Sequence, residues 1–546
     1  MTRAPRTLAI IDTGGATTSV ALVARIDRRW RLLGSMDGPT EIPVPALLGA
    51  VAERVRAADA DLAAWPELQE GALDAIPLLT ARSRPPGLVL VLGASRRTVG
   101  DLEAEARQTG WRVATASTET HDPREMTALG LDPTVDLVLI GISDPPGPDE
   151  RAALDDLAAL GGALIHRRSD LRIMTSAAIR SRRAWVDSLG DADTESGRVI
   201  DVPPGTGRRG ERDALRRALD DLRQDPEDGR IGMRAVIGTL AELLDLRIEL
   251  LEVGFDGGAR LVAEPGLAGA EPVVRGVITS AGALVPPEPG DETVDEVLAW
   301  TTGSLDRHRM SDRLRDLRRR PWVDATGDGS RLRMAAASAA LTRLAALTPE
   351  LGAGSPPDLT IIAGGAFAGA PAHAVAMAVA DTIRRTGSTQ LARDHARLLG
   401  PIGTIEDAGE RRSLLADLVH DALVPLGSLV IVGGAGGIGP GGRKRAGRAA
   451  RLTLTMEGDV QLRDLAAGEL TFVDLAPGTR AEAQLDFHDG VRFGRRTKRA
   501  SVQVTGGLAG LVVDLRDVPL YLPERRDRRR SRLAEWAAQA WPRDDR

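Results

Sequence analysis

The sequence predicts an α/β protein: two similar lobes of alternating strands and helices, then a small β-rich domain and a terminal helix. Three observations carry this expectation. Apolar runs of buried-strand type, such as residues 87–93 and 136–141, alternate with stretches of helical periodicity. The layout of residues 7–23 (apolar strand, acid, Gly-rich turn, apolar strand) recurs about 240 residues later at 247–263. From residue 451 to 522 the pattern changes to short strands of alternating polarity.

In chain order, residues 9–11 form a short strand that Asp12 ends, and Thr13-Gly14-Gly15 is a turn with no bulky side chain. Thr17, Thr18 and Ser19 supply hydroxyls before the returning strand at 20–23. Two glycines let backbone N–H groups approach an anion closely, and the hydroxyls can donate to phosphate oxygens. Asp12 is placed to hold a metal ion, directly or through water. The plainer alternative is a surface hairpin with a polar tip. Further strands are expected at 30–33 and 40–44, and a helix at 45–60 with Leu48, Val51 and Val55 on one face. After the strand at 87–93 come a helix at 98–108, strands at 111–116 and 136–141, a loop at 143–147, a helix at 148–160 and a strand at 163–166. The Pro/Gly/charged stretch 201–212 reads as a domain boundary.

Helices follow at 212–223 and 230–246, then a strand ending at Glu252, the turn Val253-Gly254-Phe255-Asp256-Gly257-Gly258, and a strand at 259–263. Residues 291–348 are helical and strongly charged, and the arginines at 307–309 and 313–320 read as a solvated face. A strand at 358–363 opens onto Gly364-Gly365, with helices to about residue 422. Residues 433–442 are a Gly-rich linker leading to Arg443-Lys444-Arg445. Strands are expected at 452–455, 470–475, 481–487, 501–504 and 508–515, and an Arg-rich helix with Trp536 at 523–540. The expected domains are a first lobe at 1–205, a second at 206–432, the linker at 433–445 and a β-rich domain at 446–546.

Composition narrows the function classes. A chain of 546 residues holds two to four domains, and 42% hydrophobic with 27% charged residues is globular. No cysteine is present, which excludes disulfides, thiolate zinc sites and Cys nucleophiles and fits a reducing compartment. A net charge of -6 gives no ground to expect nucleic-acid or membrane binding. Lysine occurs only at Lys444 and Lys498, so no lysine near the opening hairpin can meet a phosphate or form a Schiff base. No apolar run approaches the ~20 residues of a membrane span. A cytoplasmic protein is expected. His166 and His308 lack metal-ligand spacing. Trp30, Trp65 and Trp300 read as packing anchors. The arginines at 525–532 read as a solvated helix face or a contact for an acidic partner.

Three strand-end Gly turns stand out, at 12–15, 252–258 and 363–366. Two lobes that each offer a Gly/acid hairpin would clamp the phosphates of one nucleotide, and Gly364-Gly365 would let a base or ribose lie on the backbone. This is the logic of the actin, sugar kinase and Hsp70 ATPase superfamily. Neither a P-loop nor a Rossmann fingerprint is present. The candidate nucleotide contacts are Asp12, Thr13, Gly14, Gly15, Thr17, Thr18, Gly254, Asp256, Gly257, Gly364 and Gly365, with Asp12 and Glu252 as candidate Mg²⁺ ligands.

The chain resembles the MutL accessory-protein family of glutamate mutase, which is unrelated to the mismatch-repair protein of that name. The resemblance runs in order through the phosphate motif at Asp12–Ser19, a looser match at 140–146, the turn at 252–259 and the turn at 362–365. It is closest at Gly506-Gly507, Gly510, Asp514, Arg516 and Pro519, followed by the Arg-rich helix with Glu535-Trp536. It implies an actin-like, Hsp70-like ATPase fold, ATP with Mg²⁺, and a protein partner that is an adenosylcobalamin-dependent mutase. The departures fall on the chemistry. Ser19 stands where the family has lysine, Gly15 and Ala16 replace its hydroxyls, and the second motif lacks its Thr-Thr-Asp. The expected function is therefore a nucleotide-binding but degenerate ATPase-fold protein acting as a chaperone-like or scaffolding factor. The alternatives are an active ATP-dependent reactivase and, further off, a small-molecule kinase with Asp144 as base.

Overall fold

The structure is a computed structural model. It describes residues 6–541 except 70, 84–86, 110, 143–146, 178–197, 206–208, 223–226, 267–269, 287–289, 322–327 and 436–447. Asp144, most of the Gly-rich linker and Arg443-Lys444-Arg445 lie outside the described residues. The chain divides into two compact units, one of residues 1–84, 226–276 and 282–546, the other of 85–225 and 277–281. The opening hairpin thus shares a unit with residues beyond 226, whereas the sequence reading divided the chain after 205.

The second unit is built on five parallel strands: β5 (Leu88–Gly93), β6 (Arg112–Ser117), β7 (Val135–Gly141), β8 (Arg172–Ser176) and β9 (Val199–Val202), in the order β6-β5-β7-β8-β9. β5 is apolar along its whole length, and β7 from Leu137 on, because helices cover both faces, and separate apolar clusters fill the two sides. The strand expected at 163–166 is the end of a helix, Pro148–Arg167. Leu157, Leu160, Leu164 and Ile165 are buried at helical spacing against the sheet. A short apolar run fits either element, and here the helical stripe decides it.

The first unit holds three sheets. β1 (Thr7–Thr13), β2 (Thr17–Ile26), β3 (Arg29–Pro39) and β4 (Leu78–Arg82) form one in the order β3-β2-β1-β4. The large sheet has the order β12-β11-β10-β13-β14-β15-β21-β18. Its strands are β10 (Ile248–Val253), β11 (Gly258–Glu264), β12 (Val273–Thr279), β13 (Leu359–Ala363), β14 (Gly387–Asp394), β15 (Leu423–Ile431), β18 (Leu470–Val473) and β21 (Leu511–Asp514). The two sheets begin alike. β1 runs antiparallel to β2 and parallel to β4, and β10 runs antiparallel to β11 and parallel to β13. The pairs match in register, with Asp12 opposite Ser19 and Ala81, and Glu252 opposite Ala259 and Ala363.

The third sheet, β17-β16-β19-β20, combines β16 (Arg448–Met456), β17 (Asp459–Ala466), β19 (Arg480–Phe493) and β20 (Arg495–Thr505). Strands β18 and β21, expected in that small domain, instead extend the large sheet, β21 lying parallel to β15. The segment Leu511–Asp514 is buried throughout, which suits an interior strand. The terminal helix spans Arg526–Ala540 and buries Leu533, Trp536, Ala537 and Ala540.

Two helices of the first unit cross at backbone contact. Gly232, in helix Gly229–Leu244, lies so close to helix Leu399–Gly403 that an added Cβ would stand 2.6 Å from the Gly400 carbonyl. A Cβ on Gly403 would collide with the Gly232 backbone. Only glycine permits this approach.

Candidate functional site

The site is built from the two matched hairpins. In each, the first turn glycine donates to a carbonyl three residues on, Gly14 N–H to Thr17 and Gly254 N–H to Gly257, both at 2.8 Å. The tips touch because Gly15 has no side chain and leaves room for that of Asp256. A Cβ on Gly15 would collide with the Asp256 carboxylate, and one on Gly254 with Arg230 and Glu252. Gly364 has φ +98 and presses on the Val253 backbone, while a Cβ on Gly365 would stand 2.8 Å from Thr17 Oγ1. The three Gly turns that stand far apart in the sequence therefore meet.

Arginine fills the space between them. The Arg397 guanidinium holds Asp12 Oδ2 through Nε and Nη2, each at 2.7 Å, and donates through Nη1 to Thr17 Oγ1 at 2.5 Å. Its Nη2 also reaches the Asp12 and Thr17 carbonyls at 3.3 and 3.2 Å. Ser19, standing where the resembled family has lysine, donates its hydroxyl to the Ala396 carbonyl at 3.2 Å and so ties down the loop that carries Arg397. Arg397 adopts φ +54, a left-handed conformation that costs about 1–3 kcal/mol and persists only where its surroundings enforce it. Burial alone would lower the Arg397 pKa, but the Asp12 carboxylate, with Asp37 and Asp394 nearby, outweighs it and holds the group charged.

The second hairpin repeats the arrangement. Arg230 Nε donates to Glu252 Oε2 at 3.1 Å, both side chains being buried. Asp228 caps the helix start by accepting from the Arg230 N–H at 2.8 Å. Burial pushes the Glu252 carboxyl upward, only partly opposed by Arg230. The guanidinium stays protonated because its intrinsic basicity is far higher. Asp394 accepts the Leu398 and Leu399 N–H groups at 3.0 and 3.1 Å, and burial, reinforced by the Asp12 charge, raises its pKa to about 7.

What remains is a cavity of about 30 Å³. A water needs roughly 10–15 Å³ on this measure, whereas sites for drug-sized ligands run to roughly 300–1,000 Å³. Asp12, Gly14, Gly15, Thr17, Glu252, Gly254, Gly364 and Gly365 line the cavity, as do Arg230, Asp394 and Arg397. Thr13, Thr18, Asp256 and Gly257 do not: Thr18 is buried in β2, and Asp256 faces Gly15 and pairs with Arg318 at 3.4 Å. Asp12 and Glu252 are both committed to guanidinium partners. Among the described residues, no three His, Cys, Asp or Glu side chains are grouped to hold a metal ion. The side chains in this arrangement do not fit Mg²⁺.

Arg230, Asp394 and Arg397 escaped the sequence reading. A signal was present in Gly229-Arg-Ile-Gly232 and Gly400-Pro-Ile-Gly403, two Gly-x-Ile-Gly steps that mark the helix crossing and stand close to Arg230 and Arg397.

No protein-family model matches the chain, and no curated protein matches it. Among solved structures it is similar to an Aquifex aeolicus member of the Ppx/GppA family, at 11% identity over 66% of each chain with a TM-score of 0.16. A further Aquifex aeolicus PPX-GPPA enzyme matches at 9% identity, over 76% of this chain and 92% of the other, with a TM-score of 0.18. A carbohydrate kinase from Novosphingobium aromaticivorans matches at 14% identity, over 73% and 91%, with a TM-score of 0.22. Superpositions this loose carry no weight beside the strand order. That order is of a mixed α/β protein with several sheets.

Proposed function

We propose that this chain is an actin-like ATPase-fold protein whose nucleotide cleft is closed by its own arginines, and that it acts as a chaperone-like or scaffolding accessory factor. The observation that carries the reading is Arg397, which occupies Asp12 and Thr17 together and leaves a cavity of about 30 Å³. In an ATPase of this fold a carboxylate at the first hairpin holds metal and the hydroxyls meet phosphate. Here a fixed guanidinium satisfies both from within, and Arg230 does the same for Glu252. The closed state then needs no ligand, which suits a protein that offers a constant surface to a partner. The resemblance to the MutL accessory family supports a cobalamin-dependent mutase as that partner.

The second reading, an active ATP-dependent reactivase, draws on the convergence of Gly14, Thr17 and Gly364-Gly365 on one cleft. It requires Arg397 to leave Asp12. A hydrolysis assay with ATP and Mg²⁺ separates the two. The proposal expects no phosphate release above a protein-free control, from wild type or from Asp12→Asn. Robust hydrolysis abolished by Asp12→Asn would overturn it in favour of the reactivase.

A further inference from the structure

A second arginine cluster lies in the large-sheet part of the first unit, on a different set of residues. Glu249 on β10 accepts from two guanidinium groups at the same oxygen, Arg260 Nε at 2.9 Å and Arg385 Nη2 at 2.6 Å. All three residues are at most 5% exposed. Arg260 is completed by Thr348. Arg385 is not: its Nε and Nη1 have no hydrogen-bond partner, and neither has Glu249 Oε2. The neighbouring network holds Arg384 and Arg516 against Asp381 and Asp514. Over the two networks, three buried arginines and the half-buried Arg384 face three carboxylates. An unmatched buried charge with open donors is costly and invites a counter-charge.

Arg260, Arg384 and Arg385 also line a groove of about 510 Å³, with Arg492 exposed at its rim. Trp300, Leu520 and Leu522 form an apolar part of the wall. The volume falls within the range of small-ligand sites, roughly 300–1,000 Å³. We propose that this groove binds a small amphipathic anion, a carboxylate or phosphate monoester with an apolar body. The anionic head pairs with Arg385 and Arg384 and is held at the rim by Arg492, and the body lies along Trp300, Leu520 and Leu522. Nε and Nη1 of Arg385 are shielded from solvent, so binding turns this guanidinium toward the groove. Burial, together with the charges of Arg260 and Arg247, already pushes the Arg385 pKa down against the pull of Glu249, as expected of a cation short of negative partners.

The test is isothermal titration of the full chain with octanoate, octyl phosphate, octanol and inorganic phosphate. The proposal expects saturable binding of octanoate and octyl phosphate, with octanol and inorganic phosphate each at least about 10-fold weaker because each lacks one half of the recognition. Arg385→Gln should weaken octanoate about 10-fold or more, and Arg492→Gln, on an exposed side chain whose loss leaves folding intact, about 3-fold. The proposal is overturned if octanol binds as well as octanoate, if inorganic phosphate binds as well as octyl phosphate, if wild type shows no binding at about 10 mM, a level corresponding to under 3 kcal/mol of affinity, or if folded Arg385→Gln and Arg492→Gln both bind like wild type.

Discussion

The cleft at Asp12 and the groove at Arg385 are built from the same materials and end differently. In the cleft Asp12 pairs with Arg397 and Glu252 with Arg230, Asp394 accepts backbone N–H groups, and the space closes to about 30 Å³. In the groove two arginines share Glu249, one keeps open donors, and about 510 Å³ remains. Matched charges satisfy one another and exclude other occupants. Unmatched ones leave a place to fill. On this view the ancestral-looking cleft is the silent site, and a groove with no sequence motif is the receptive one.

The largest expected effect comes from breaking a matched pair. Arg397→Ala leaves Asp12 buried without its cation and should cost about 3–5 kcal/mol of stability in chemical denaturation, since removing one partner strands the other charge. Arg397→Ala combined with Asp12→Asn should recover part of that loss, because the stranded charge is gone. Equal losses in single and double variants would mean that the guanidinium acts through packing.

Next is the pH dependence of the cleft. The folded pKa of Asp394, about 7, lies above its unfolded value. Its contribution to stability is therefore complete below about pH 4 and is lost as pH rises through about 7, at up to roughly 1.4 kcal/mol per pH unit. Glu252 shifts in the same direction, and His395, whose pKa burial lowers, opposes them near its own titration. The informative quantity is thus the difference between wild type and Asp394→Asn, measured by denaturation at several pH values. The variant should flatten the decline between pH 4 and 7, and parallel curves would contradict the assignment.

A smaller effect is expected at the hairpin tips. Gly15→Ala places a methyl group on the Asp256 carboxylate and should cost about 1–3 kcal/mol, relieved by Asp256→Ala. No relief would mean that the tips do not meet there. The smallest effect sharpens the contrast from the other side. Arg385→Gln should change stability by less than about 1 kcal/mol or raise it, because Glu249 keeps Arg260 and the unmatched charge disappears. A loss as large as that of Arg397→Ala would show that the two sites do not differ as described.

Much of the fold was legible because its signals are local. Hairpins with a Gly turn and an acid at the strand end announce themselves within 15 residues or so, and both were found, as were β5, β6 and β7. What was not legible depends on distance. Arg397 reaches Asp12 across 385 positions, so no window of sequence links them. The run at 163–166 is too short to separate helix from strand without its neighbours. Strands β18 and β21 sit in a stretch of β pattern, and only their partners place them in the large sheet. At the site, the sequence pointed to Asp12, Gly14, Gly15, Gly254, Gly364 and Gly365, which converge, and also to Thr13, Thr18, Asp256 and Gly257, which do not line the cavity. It pointed equally to an absent lysine and gave no hint that an arginine from elsewhere takes up Asp12 and Thr17 in its stead.

The central claim is that the cleft is closed from within by Arg397. Isothermal titration of the full chain with ATP and Mg²⁺ tests it most directly. The account predicts no saturable heat for wild type at about millimolar ATP, a level corresponding to only about 4 kcal/mol of affinity. A saturable wild-type isotherm that Asp12→Asn abolishes would contradict it, because ATP would then reach the carboxylate that Arg397 is held to occupy.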